Sequence, residues 1–123
     1  MKRGSSLAAG LATAAALFGI APATQIAHAT PAPEVEYTYD VVARRHYAFP
    51  NNDAIAYGYG ICDKVRNGEA YAQIMGEVKN EVLPNDEYAA NYVVSNAVGI
   101  LCPAQIWQLR NSAAGYRPPP AQP

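Results

Sequence analysis

Two cysteines, Cys62 and Cys102, are the only thiols in the 123-residue chain. Residue types of this kind hold zinc when enough ligands gather, or close a disulfide when the compartment is oxidising. A structural zinc site needs four ligands, and beyond residue 29 the chain offers two cysteines and a single histidine, His46, with no C-x-x-C spacing. The disulfide is the stronger reading. Catalytic groupings are thinner still. His46 follows Arg44-Arg45 with no serine or cysteine nucleophile beside it, and Ser95 and Ser112 both lie outside any G-x-S-x-G turn. Glu77 and Glu81, one helical turn apart, are a carboxylate pair that a glycosidase could use, but at that spacing they read as a solvated polar face. The sequence is therefore read as that of a non-enzyme, with no catalytic, metal-binding or cofactor-binding set.

The elements that must carry these residues follow an export signal. Lys2 and Arg3 form a positive n-region, Leu7 to Ile20 an apolar h-region, and Ala27-His28-Ala29 a small-x-small cleavage site, placing the cut between Ala29 and Thr30. Residues 1–29 are expected to be a signal peptide and the product to be secreted, into the periplasm, the cell wall or the medium. No cysteine follows the h-region to carry a lipid, and no later stretch reaches the length of a membrane span. Outside the cytosol the two cysteines read as one structural crosslink. They lie about 40 residues apart, and a loop of that size is worth about 4 kcal/mol on the chain-entropy account. For a single domain of roughly ninety residues, whose core is marginal, that is comparable to the whole net stability.

Charge removes further classes. The chain carries 9 Lys/Arg and 10 Asp/Glu; without Lys2 and Arg3 seven basic residues face ten acidic ones, a net of −3. The longest basic run is Arg44-Arg45, so nucleic acid and anionic membrane surfaces are not expected partners.

The hydrophobic spacing of the remainder is helical. Residues 30–36, with Pro31 and Pro33, read as a flexible leader, and Tyr37 to Phe49 fits neither helical nor strand periodicity well. Asn52-Asp53 caps a helix in which Ala54, Ile55, Gly58, Ile61, Cys62 and Val65 recur at three- and four-residue steps until Asn67-Gly68. Tyr71, Ile74, Met75, Val78 and Val82 share one face of a second helix that stops at Pro84. A third starts at Asn85 with Asp86 and Glu87 at the positive end of its dipole. Ala89, Val93, Ala97 and Ile100 line one side and Val94, Val98 and Leu101 the next, which makes it the central helix, ended by Pro103. Ala104 to Leu109 resumes as a short helix, and the end of the chain, Arg117-Pro118-Pro119-Pro120-Ala121-Gln122-Pro123, reads as an extended disordered tail. Gly58 and Cys62 lie one turn apart on an inward face, where small residues let a neighbouring backbone come near enough for a disulfide.

The stretch from Ala54 to Gly68, AIAYGYGICDKVRNG, resembles the "A-I-x-x-G-x-x-(V/I)-C-x-x-(L/V)-x-x-G" run of the DUF732 family, small secreted proteins of mycobacteria and their phages. The later Ala97-Val98-Gly99-Ile100-Leu101-Cys102-Pro103 is similar to that family's closing A-V-x-x-(Y/L)-C-P. The resemblance implies a helical fold crosslinked between Cys62 and Cys102, and implies no activity. The expectation is an all-α domain over residues 37–110, a small bundle of about four helices closed by one disulfide, with residues 111–123 as a Pro-rich disordered tail.

Nine tyrosines remain to be explained, at positions 37, 39, 47, 57, 59, 71, 88, 92 and 116. Tyrosine packs as a large hydrophobe with a polar tip, which suits both the edge of a small core and a recognition surface. The functional expectation is an exported interaction module that contacts an envelope or extracellular protein. The alternative is a carrier of a small apolar ligand, lipid or haem, with Ile61, Val78 and Val93 lining its cavity and His46 with Tyr47, or Tyr57, offered to iron. The export reading makes a direct prediction: protein recovered from culture begins at Thr30 on N-terminal sequencing, whereas full-length chain retained in the cytosol would refute it.

Overall fold

The computed structural model describes residues 30–120. The expected signal peptide, its cleavage site at Ala29 and the last three residues of the proline tail lie outside them. Within the described residues there are five helices and no strand. Helix α1 spans Pro33–Arg44, α2 Ala54–Arg66, α3 Tyr71–Glu81, α4 Glu87–Leu101 and α5 Ile106–Ser112. No helix among the described residues is long and apolar enough to cross a membrane.

Helix α1 begins inside the expected flexible leader. Pro33 stands at its first turn, where a missing N–H costs nothing, and Glu34 and Glu36 face the positive end of its dipole. The helix is α-helical over Pro33–Thr38 and widens to a π-helix over Tyr39–Arg44. That change of pitch is why the segment matched no single periodicity: Tyr37 and Val41 are fully buried, but the residues after them are carried out of step. His46, at φ 59°, turns the chain, and Phe49 plugs the core before a 3-10 turn at Pro50–Asn52.

Helix α2 is bounded as its sequence dictates. The Asp53 carboxylate accepts from the N–H of Ala56 at 2.9 Å. At the other end Gly68 sits at φ +91°, and the N–H groups of Gly68 and Glu69 bond to the carbonyls of Val65 and Lys64. This is the paired 5→2 and 6→1 arrangement that satisfies the last carbonyls of a helix. Ala54, Gly58, Ile61, Cys62 and Val65 are its buried residues.

Helix α3 buries Tyr71, Ile74, Met75 and Val78; Val82, beyond its last turn, is only half-buried. It has no side-chain cap of its own, and the N–H of Tyr71 donates instead to Ser112 Oγ at 3.0 Å. The cap of α4 is Asp86, accepting from the N–H of Ala89 at 2.9 Å, one residue later than the expected start at Asn85, which takes a left-handed φ of 59°. Helix α4 is the centre of the bundle, burying Ala89, Ala90, Val93, Val94, Ala97 and Val98. Its last five residues, Ala97–Leu101, are π-helical. Pro103 has no N–H to give to the Gly99 carbonyl, and the helix ends on the bond from the N–H of Cys102 to the Val98 carbonyl. The widening also explains why Ile100, expected on the core face with Ala97, is only half-buried.

Two extensions of the domain were not foreseen. Helix α5 runs to Ser112, past the expected boundary at residue 110, and Tyr116 is not part of a free tail. Its ring meets Tyr71 edge-on at 4.9 Å between centroids, and its hydroxyl donates to Glu87 at 2.8 Å. Burial pushes the Tyr116 phenol up to about 12, helped by that carboxylate. Arg117 to Pro120 has no regular structure, but Pro119 and Pro120 wall a cleft against Gly76, Lys79 and Pro84. An aromatic anchor at 116 holds a segment that composition alone describes as disordered.

The disulfide joins Cys62 of α2 to Cys102 at the end of α4, with Cα atoms 6.1 Å apart. One turn back, a Cβ on Gly58 would lie 2.6 Å from Leu101 Cδ1 and 2.8 Å from Tyr37 Cζ. Tyr37 is fully buried and cannot swing away, so Gly58→Ala should cost about 1–3 kcal/mol through overpacking. The Tyr37 hydroxyl itself finds no hydrogen-bond partner among the described residues. Tyr37→Phe, which deletes that buried polar atom, should therefore leave stability unchanged or raise it by about 1 kcal/mol. Urea denaturation of the two variants checks both signs; a stable Gly58→Ala protein would contradict the close contact.

Candidate functional site

Seven large hydrophobic side chains are exposed among the described residues, and five of them gather on one face. Val35, Tyr39 and Val42 recur along the outer side of α1, and Ile55 and Tyr59 along the adjoining side of α2. Their helices are held together from beneath: Tyr37 and Val41 point into the core on the opposite side of α1, with the Tyr37 ring against the α2 turn at Gly58. Between them lies a shallow cleft of about 360 Å³ lined by Val35, Tyr39, Val42, Ala43 and Ile55. Val35 and Tyr39 are each more than half exposed, at 60% and 57%.

Charge borders the patch at one end. The Tyr59 hydroxyl donates to Glu34, and this bond holds the Glu34 carboxyl below the usual carboxylate range while raising the Tyr59 phenol. Asp40 pairs with Arg44 one turn along α1 at 3.7 Å. The surface is thus apolar in the middle, with two tyrosines and a carboxylate at its rim, the composition that recognition surfaces favour.

The other residues singled out from the sequence have structural partners. Tyr57 and Tyr59 flank Gly58 and make their contacts on different sides of α2. Tyr57 packs on Phe49 at 5.5 Å and donates to Glu81 at 2.7 Å, and burial together with that carboxylate pushes its phenol far up. Glu77 accepts from Lys64 at 2.6 Å, and that ammonium holds its carboxyl down. The Glu77–Glu81 pair is therefore engaged in two separate contacts between α2 and α3. Ser112 caps α3 and donates to the Leu109 carbonyl, which occupies its hydroxyl.

The groups considered for haem are not brought together. His46 is exposed in the turn after α1, and Tyr47 stands edge-on to Tyr92, over whose ring the Arg45 guanidinium lies at 4.0 Å. The cleft that Tyr57 lines, with Pro50, Asn51, Asp53 and Ala56, contains neither of them. Ile61, Val78 and Val93, the residues a carrier cavity would have used, are each 1% exposed or less and belong to one packed cluster. Among the described residues no three His, Cys, Asp or Glu side chains gather as a metal set.

The exposed patch escaped sequence reading for a physical reason. Val35, Tyr39 and Val42 carry the same hydrophobic signal as core residues, and only the packing of α1 by its Tyr37–Val41 side turns them outward.

Comparison with known proteins finds no matching curated protein and no matching solved structure. The family described as "Protein of unknown function (DUF732)" matches residues 34–104, which run from the first turn of α1 through both cysteines to the residue after Pro103. That span exceeds half of the chain and contains the crosslinked α2–α4 pair, so the protein belongs to the DUF732 family.

Proposed function

We propose that this domain is an exported, non-catalytic interaction module, which contacts an envelope or extracellular protein through the α1–α2 face. The observation that carries the reading is the concentration of Val35, Tyr39, Val42, Ile55 and Tyr59 at one surface of the bundle. Contiguous exposed apolar groups with a polar rim mark contact sites on small proteins. The leader over residues 1–29 supports an exported setting, and the Cys62–Cys102 crosslink suits an oxidising one. The complete burial of Ile61, Val78 and Val93 favours this module over a carrier with a central apolar cavity. The partner supplies a complementary apolar contact, and the rim tyrosines fix its orientation through their hydroxyls.

Photo-crosslinking in the protein's own host tests the reading. A crosslinking residue at position 39 should trap one discrete envelope protein, and the same residue at position 88, on an isolated exposed tyrosine, should not. Val42→Asp should abolish the product without changing the thermal midpoint, because Val42 is already partly exposed. Indiscriminate products from both positions, or lipid or haem enclosed among Ile61, Val78 and Val93, would overturn the module.

A further inference from the structure

A second cleft, on a different part of the molecule, has the chemistry of a ligand site. It lies between α4 and α5, holds about 530 Å³, and is closed at one end by the edge-on pair Tyr71 and Tyr116. That volume falls in the range of small-molecule sites. Helix α5 supplies an apolar wall from Ile106 and Leu109, continued by Ala113 at its C-cap. Helix α4 supplies Asn91, Ser95 and Gly99 at four-residue intervals, so a single stripe of small side chains faces the opening. Gly99 sits in the π-helical turn, and a Cβ there would meet nothing within 4 Å, so the cleft is open at that point.

Arg110 is the one charged side chain lining this cleft. It makes no ion pair among the described residues; its guanidinium rests over Trp107 at 5.1 Å. Tyr71 is more than nine-tenths buried and accepts from the Asn91 amide, which leaves its own O–H without an acceptor among the described residues. Ser95 adds a hydroxyl and Asn91 a second amide hydrogen. The clefts beside Glu87, Glu34 and Asp53 each have a carboxylate in their lining; this one has none, and Glu87 beyond its Tyr116 wall is engaged by the Tyr116 hydroxyl and Lys79. In a chain with more acidic than basic residues, a cleft edged by Arg110 and lined with hydroxyl and amide donors favours anions, the guanidinium swinging in from its place over Trp107.

We propose that the α4–α5 cleft binds a small monocarboxylate with an apolar body. The carboxylate pairs with Arg110 and takes hydrogen bonds from Ser95 and the Tyr71–Asn91 pair, and the apolar body lies on Ile106 and Leu109 against the Tyr116 ring. This site is separate from the α1–α2 face and does not depend on the interaction-module reading.

Titration of the full-length 15N-labelled protein with octanoate tests the proposal, with octylamine as the probe of equal chain length and opposite charge. Octanoate should give saturable shifts at the amides of Gly99 and Arg110 and at the Asn91 side chain; octylamine should not. Arg110→Met should weaken octanoate binding about tenfold, the loss of one charge-assisted contact. Gly99→Leu, which fills the open end, should remove binding, with the remaining spectrum of each variant reporting an intact fold. No saturable shift, equal response to the amine, shifts confined to the α1–α2 face, or unchanged affinity in Arg110→Met would overturn it.

Discussion

Helices α2 and α4 meet over a single turn in which α2 has no side chain of its own to hold its neighbours off. Gly58 removes the spacer, Leu101 and Tyr37 fill the place it leaves, and four residues on Cys62 is bonded to Cys102. The constraint reaches outward from that junction. Close approach requires the facing surface of α4 to be small, which Ala90, Ala97 and the valines supply. It also requires α1 to seat Tyr37 flat against the junction, and so determines which side of α1 is buried and which is exposed. The apolar α1–α2 face is thus a consequence of the same contact that closes the core.

A second set of interactions ties the ends of the bundle together through α5. Gln108 donates to the Val65 carbonyl at 2.6 Å near the end of α2, and Ser112 receives the first N–H of α3. Tyr116 then reaches Glu87 at the start of α4, where Lys79 of α3 also binds at 2.6 Å. A short helix too small to be stable alone is held by bonds to the end of α2 and the start of α3, and the segment after it by a bond to the start of α4. The α4–α5 cleft exists because α5 approaches α4 across small side chains at 91, 95 and 99 that do not fill the space.

Much of the fold was legible in the sequence because its signals are local. Asp53, Gly68 and Asp86 act on backbone groups within a few residues, so α2 could be started and ended from their chemistry and the start of α4 placed within one residue, at Asn85 instead of Asp86. The pairing of Cys62 with Cys102 needed only their number and an oxidising setting. The features that were missed depend on residues far apart in the chain. The cap of α3 comes from Ser112, 41 residues away, and the anchoring of the tail depends on Tyr71. The π-helical turns in α1 and α4 follow from tertiary packing and from Pro103, and they alter which residues face inward without changing composition. Neither candidate site was visible, since a surface patch and a cleft are properties of how helices sit together.

The function proposed for this DUF732 domain is that of a rigid scaffold presenting one apolar face, and rigidity rests on the α2–α4 junction. Equilibrium urea unfolding of the protein before and after reduction, with the thiols blocked, measures that dependence directly. Loss of the crosslink should lower unfolding stability by about 4 kcal/mol, the entropy of a loop of some forty residues returned to the unfolded chain. An unchanged midpoint and slope after complete reduction would contradict the account, since the junction would then hold without its covalent tie.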